Sequence, residues 1–148
     1  HRQELLGTKG PVRFVNDSKA TNAEAAAHAL AAYENIYWIA GGIAKDGGIA
    51  ALGPFFDRIR HAFLIGDAAE DFEATLKDRV STTRSGDLAT ATQQATDMAA
   101  GDDNAVVLLS PACASFDQFP SFEARGDAFR TAVAAIPGFV THATGGAA

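Results

Sequence analysis

Cysteine, methionine and tryptophan occur once each, and tyrosine twice, among the 148 residues. A lone Cys113 forms no internal disulfide and supplies no multi-cysteine metal site, so zinc-ribbon and secreted-scaffold readings drop out and a reducing compartment is expected. Positive charge is also scarce: 12 Lys+Arg face 18 Asp+Glu, a formal net charge of −6. Such a balance opposes a non-specific grip on nucleic acid or an anionic membrane, both of which need a basic field. An anionic ligand must therefore be held by a local cluster. Long apolar runs are absent too, since Gly, Asp or Lys interrupts them within about 10 residues, far short of the ~20 needed to span a bilayer.

Other familiar patterns are missing. No repeat on the scale of roughly 20–50 residues is visible, and no Pro/Gly/Ser linker divides the interior. The opening His1-Arg2-Gln3 has neither the charged nor the apolar region of a signal peptide and reads as the start of a piece of a longer protein. The small, uncharged end Thr144-Gly145-Gly146-Ala147-Ala148 reads as a frayed tail. His1, His28, His61 and His142 are scattered without metal-ligand spacing, so no histidine-based metal site is expected.

What is present is 47% hydrophobic residues in a chain of one-domain length, read here as a single domain over 1–148. Short β-rich runs at 12–15, 36–40, 62–65, 80–83 and 105–109 alternate with segments of helical spacing at 22–33, 49–59, 68–76, 88–100 and 122–135. Leu5-Leu6 is a candidate extra edge strand, with Gly10-Pro11 as its turn. Trp38 to Ala40 and Ala105 to Leu109 are continuously apolar, as strands buried on both faces of a parallel sheet must be. The expected fold is α/β: a Rossmann-like, doubly wound, mostly parallel sheet with helices on both faces. Ligands in such sheets sit beyond the carboxyl ends of the strands, so the informative residues are those that follow the strands.

Three such segments stand out. Asn16-Asp17-Ser18-Lys19-Ala20-Thr21-Asn22 concentrates a carboxylate, an ammonium, hydroxyls and amides between a strand and a helix. Asp17, Ser18, Thr21 or Asn22 suits helix capping with Lys19 solvated; equally, helix N–H groups and Lys19 suit an anion while Asp17 accepts from hydroxyl or amine donors. Gly41-Gly42-Ile43-Ala44-Lys45-Asp46-Gly47-Gly48 lets backbone approach a ligand closely, or is simply a mobile turn. It is neither a Walker A loop nor a Gly-x-Gly-x-x-Gly fingerprint. Ser110 to Phe119 leaves the most hydrophobic strand through small residues into an aromatic group with Phe122. Cys113 reads as a small buried hydrophobe rather than a nucleophile, and Ser115 lacks a nucleophile elbow. Phe116, Phe119 and Phe122 suit core packing. Glu123, Arg125 and Asp127 begin the last helix and read as a solvated or capping face.

Taken together, Asp17-Ser18-Lys19-Ala20-Thr21-Asn22, the Gly41-Gly42 loop with Lys45, and the stretch from Leu109-Ser110-Pro111-Ala112-Cys113-Ala114-Ser115 through Phe122, Arg125-Gly126-Asp127 and Phe129 resemble the C-terminal domain of the Mur ligase family, in its D-glutamate-adding branch. The resemblance runs from His1 to about Phe129. It implies a three-domain, ATP-dependent ligase of peptidoglycan synthesis, cytoplasmic, which joins D-glutamate to UDP-N-acetylmuramoyl-L-alanine through an acyl phosphate. The N-terminal domain would hold the UDP moiety, and the central domain the ATP phosphates and Mg2+. The third domain, the only one present here and inactive alone, would bring D-glutamate and close over ATP. Carried over by residue, the resemblance gives Lys45 and Thr21 to one D-glutamate carboxylate, with Lys19 assisting Thr21. It gives Ser115 and backbone groups around Phe116 and Phe122 to the other carboxylate. Arg2 and Asp17 would contact the nucleotide, near phosphate and ribose respectively, and no residue of this domain alone would be catalytic or bind metal. A free-standing small-anion-binding module, or the equivalent domain of a ligase adding another amino acid, are the competing readings.

Overall fold

The computed structural model describes residues 1–142; the expected frayed tail at 144–148 lies outside them. In chain order the elements are strands β1 (Glu4–Lys9) and β2 (Val12–Asn16), helix α1 (Ala23–Ala32), strands β3 (Ile36–Gly41) and β4 (Ile43–Ala44), a 3-10 helix (Ala50–Arg58), strand β5 (Ile59–Ile65), helix α2 (Ala69–Leu76), strand β6 (Thr82–Gly86), helix α3 (Leu88–Ala99), strands β7 (Val106–Leu109) and β8 (Cys113–Ala114), helix α4 (Phe122–Ala134) and strand β9 (Val140–Thr141).

A seven-stranded sheet runs β6-β5-β3-β7-β2-β1-β9, and β4 pairs with β8 in a separate two-stranded ladder. From β6 to β2 every pairing is parallel, while β1 is antiparallel to both β2 and β9. The alternation of side chains along each central strand explains why helices are needed on both faces. Ile36, Trp38 and Ala40 of β3 share a core with Leu30 of α1, Leu52 of the 3-10 helix and Phe72 of α2. Tyr37 and Ile39 turn to the opposite core, with Leu88 of α3 and Phe129 of α4. This is the doubly wound, mostly parallel α/β fold expected from the sequence.

Four differences have local causes. The segment expected as a helix at 49–59 is a 3-10 helix carrying Pro54, whose ring and missing N–H oppose an α-helical interior. Strand β5 starts earlier than expected, at Ile59, because Ile59 and His61 already pair with Ile36 and Tyr37 of β3, with a register shift at exposed Arg60 between them. Strand β6 is displaced toward the C-terminus, pairing Thr82 with Ala62 and Gly86 with Ile65. The expected extra strand around Leu5 forms, but β9 covers it through Gly7–Thr141 and Thr8–Val140 pairing, so it is not an edge. The sequence of β9 is too short to announce itself.

The strand order places the site. After β2 the chain moves outward through β3, β5 and β6, then returns to insert β7 between β3 and β2. The segments after β2, β3 and β7 therefore leave neighbouring strands at one end of the sheet, which is the switch-point geometry where such folds bind ligands. Trp38 locks two of these strands together: its indole N–H donates to the Ser110 carbonyl at 2.8 Å. No helix among the described residues is long and apolar enough to cross a membrane.

The exit from β3 depends on glycine. Gly41 has φ +132° and Gly42 φ +126°, and a Cβ on either would run into the carbonyl oxygen of Ile65 or of Ala114. Gly41→Ala should therefore lower the unfolding free energy of this domain by about 2–4 kcal/mol in urea titrations, through backbone strain and a contact with no flexible neighbour to yield. A loss under about 0.5 kcal/mol would contradict this packing.

Candidate functional site

The turn after β2 is built by side chains that bond to their own backbone and to neighbouring strands. Asn16, fully buried, accepts from the Ser18 N–H at 3.1 Å, and the Asp17 N–H donates to the Leu109 carbonyl at 2.7 Å. The Asp17 carboxylate takes the Gln3 N–H at 3.0 Å on Oδ1 and the Ser110 hydroxyl at 2.7 Å on Oδ2. Burial pushes its pKa above the ordinary value, while the bonds from Ser110 and Gln3 and the charge of Arg2 pull the other way. Of the capping candidates, Asn22 caps α1, accepting from the Ala25 N–H at 2.8 Å; Asp17 and Ser18 are committed elsewhere.

Arg2, Asp17 and Lys19 line one open cleft of about 570 Å³ together with Asn22, Glu24 and His28. Lys19 is exposed and makes no ion pair among the described residues. The structure thus places Lys19 with the two candidate nucleotide contacts, and Thr21 lies half-buried between the cleft residues Ala20 and Asn22.

A second group forms where the loops after β3 and β7 meet. The β4–β8 ladder pairs Ile43 with Ala114 and Ala44 with Cys113, which brings Lys45 and Ser115 to its two ends. Lys45 is exposed, and its ammonium lies near enough to the Cys113 thiol to bear on its ionisation. Ser115 is 2% exposed, and its hydroxyl is a buried side-chain polar atom without a hydrogen-bond partner among the described residues. An unpaired buried hydroxyl costs about 1–3 kcal/mol, so native structures rarely keep one without use. Phe116 beside it is 70% exposed, so the core-packing alternative for this phenylalanine is corrected: it follows the end of β8 and its ring stands largely in solvent. Phe119 is packed against the α3–α4 core as a partly buried residue. Phe122 is half-buried at the first turn of α4, whose leading N–H groups lack intrahelical partners.

Arg125 joins the two groups. It is 1% exposed, which corrects the reading of this residue as part of a solvated or capping face. Its Nε donates to the Ser18 hydroxyl at 2.9 Å, one terminal nitrogen to the Ser18 carbonyl at 2.7 Å and the other to the Cys113 carbonyl at 3.0 Å. The Ser18 hydroxyl in turn donates to the Phe122 carbonyl at 2.7 Å. Burial lowers the guanidinium to about 10, which leaves it charged at neutral pH. Helical spacing carried the missing signal: Arg125 shares the inward stripe of α4 with Phe129 and Val133. The Cys113 thiol is pushed up to about 12, chiefly by burial, in keeping with a packed rather than reactive cysteine.

A doubly wound domain whose switch-point loops carry exposed lysines and, among the described residues, an unpaired hydroxyl has the chemistry to hold an anion. Residues 1–113 match the family described as "Mur ligase, glutamate ligase domain", and the chain belongs to that family. Over 134 residues it is 60% identical to a "UDP-N-acetylmuramoylalanine--D-glutamate ligase" of Caulobacter vibrioides (strain NA1000 / CB15N), covering 90% of this chain and 28% of that protein. It is 59% identical over 140 residues to a protein of the same description from Mesorhizobium japonicum, covering 93% and 30%. It is 57% identical over 140 residues to one from Rhizobium meliloti (strain 1021), again covering 93% and 30%. The chain therefore spans less than a third of the length of these relatives.

Two consequences can be measured. Arg125→Lys keeps a charge but cannot span three acceptors; it should destabilise the domain by about 3 kcal/mol in urea titrations. Asp17 has a folded pKa above its ordinary 3.8, so the folded chain keeps its proton over a window where the unfolded chain has released it. The contribution of Asp17 to stability then falls as pH rises through that window. Asp17→Asn should gain on the native protein as pH rises above the ordinary carboxylate pKa of 3.8; a pH-independent difference would contradict the raised direction.

Proposed function

We propose that this chain is the D-glutamate-binding C-terminal domain of an ATP-dependent, amide-forming ligase that joins D-glutamate to UDP-N-acetylmuramoyl-L-alanine in the cytoplasm, for peptidoglycan. The observation that carries this reading is the buried Ser115 hydroxyl, unpartnered among the described residues, at one end of the β4–β8 ladder with exposed Lys45 at the other. Identity of 57–60% to proteins described as D-glutamate ligases supports it.

A dicarboxylate needs two separated anion sites, and charge-assisted bonds can supply them without a basic domain. Lys45 with Thr21 would take one carboxylate, Lys19 assisting. Ser115 and the backbone around Phe116 and Phe122 would take the other. Arg2 and Asp17 fit a nucleotide: Arg2 offers a cation for phosphate, and each Asp17 oxygen keeps a lone pair for a ribose hydroxyl beyond the bond it already accepts. Among the described residues no group of three or more His, Cys, Asp or Glu could hold a metal ion, and we place Mg2+ and most ATP contacts in the rest of the polypeptide. ATP would supply the activation of the L-alanine carboxylate as an acyl phosphate. This domain would hold the D-glutamate amine in line with that carbon and, on closing, exclude water, which lowers the barrier by positioning.

Lys45→Ala in the full-length protein should raise KM for D-glutamate by about 30-fold or more while KM for ATP stays within about twofold, since truncating one partner of a charge pair that domain closure would desolvate costs roughly 2–5 kcal/mol. Calorimetric titration of the domain with D- and L-glutamate complements the kinetics. An unchanged D-glutamate KM in the variant would refute the role of Lys45.

A further inference from the structure

Glycine is among the poorest helix formers, yet Gly126 sits in the first half of α4 and is buried. Its backbone needs no positive φ, so conformational freedom does not explain it. The explanation is space: a Cβ at this position would run into the His1 imidazole. The ring is seated in the notch that the missing side chain leaves. Its edge meets the Phe122 ring with centroids 6.0 Å apart at 87°. The Asn16 side-chain amide lies 3.0 Å from Nδ1 as a donor, and Nε2 faces the Asp127 carboxylate at 3.7 Å. The backbone is held as well, since the Lys19 N–H donates to the His1 carbonyl at 3.0 Å. On the other side of Arg2, the Gln3 N–H donates to Asp17 at 3.0 Å, and Gln3 takes φ +45°. Arg2 is thus clamped between two anchored neighbours and delivered to the cleft that Asp17 and Lys19 share.

We infer that Gly126 and His1 form a latch, with both acting as positioning residues that fix Arg2 for the nucleotide. This rests on the nucleotide role proposed for Arg2.

The test uses the full-length protein with Gly126→Ala, His1→Ala and the double variant. The clashing partner is a side chain, so alanine at 126 should evict the ring rather than break the helix; His1→Ala removes the ring with no demand on α4. Either single variant should raise KM for ATP about tenfold and leave KM for D-glutamate within about twofold, as expected for a misplaced contact far from the chemistry. Hydrogen exchange at the Lys19 amide should accelerate in both. The double variant should be no worse than the worse single, because both remove one interaction. Multiplying effects, or native-like ATP kinetics in both single variants, would overturn the latch. Arg2→Ala separates the layers. If it raises KM for ATP while the latch variants do not, the latch alone fails. If it leaves KM for ATP unchanged, the nucleotide reading of Arg2 fails, and with it the positioning role.

Discussion

A single guanidinium ties the last helix to two of the switch-point loops. Arg125 reaches from α4 to the turn after β2 and to the loop after β7, spending its donors on two backbone carbonyls and one hydroxyl. No carboxylate pairs with it among the described residues. A buried cation survives without a counterion only when its hydrogen bonds are complete and rigid, which a planar fork provides and a flexible ammonium does not. Its charge also raises the local potential in a chain of net charge −6. An anion at the neighbouring loops meets a favourable field although the protein as a whole repels it.

The sheet makes that brace possible. Inserting β7 between β3 and β2 brings three loops from distant parts of the sequence to neighbouring strand ends. Gly41 and Gly42 then turn the chain so tightly that β4 can pair with β8 beyond the sheet. The ladder sets the spacing between Lys45 and Ser115, and the brace sets that pair relative to Lys19 and Phe122. Rigid elements with satisfied backbone bonds thus carry each loop that offers a polar group to a ligand, as precise positioning requires.

Much of this was legible in the sequence, and the exceptions have a common cause. Continuous apolar runs at Trp38 and Ala105 announce buried parallel strands, and Ala-rich segments with helical spacing give α1, α3 and α4 nearly to the residue. Polar density after strands points to Asp17, Lys19 and Lys45 without coordinates. What the sequence hides are features created by long-range contact. Arg125 reads as a helix-surface charge until its inward register with Phe129 is weighed against the ordinary exposure of arginine. Gly126 and His1 carry no local pattern, because their meaning lies in each other. Strand β9 and the β4–β8 ladder are too short for periodicity and exist only because a partner strand lies alongside.

The chain around β8 carries two local penalties, one just before the strand and one just after it. Ala112 sits at φ +57°, a left-handed conformation that costs a non-glycine residue roughly 1–2 kcal/mol. Ser115 keeps a buried hydroxyl without a partner among the described residues. Neither helps the domain fold, and both persist because Arg125 grips the Cys113 carbonyl between them and the ladder pins Ala114. A cheaper loop is easy to write, with glycine at 112 and alanine at 115. The residues present make sense if the rigid, positive-φ corner aims the Ser115 hydroxyl at an acceptor brought by a ligand, whose arrival satisfies the atom that folding left unpaired. Phe116, 70% exposed on the same lip, then offers an apolar surface ready to be covered once the site is filled.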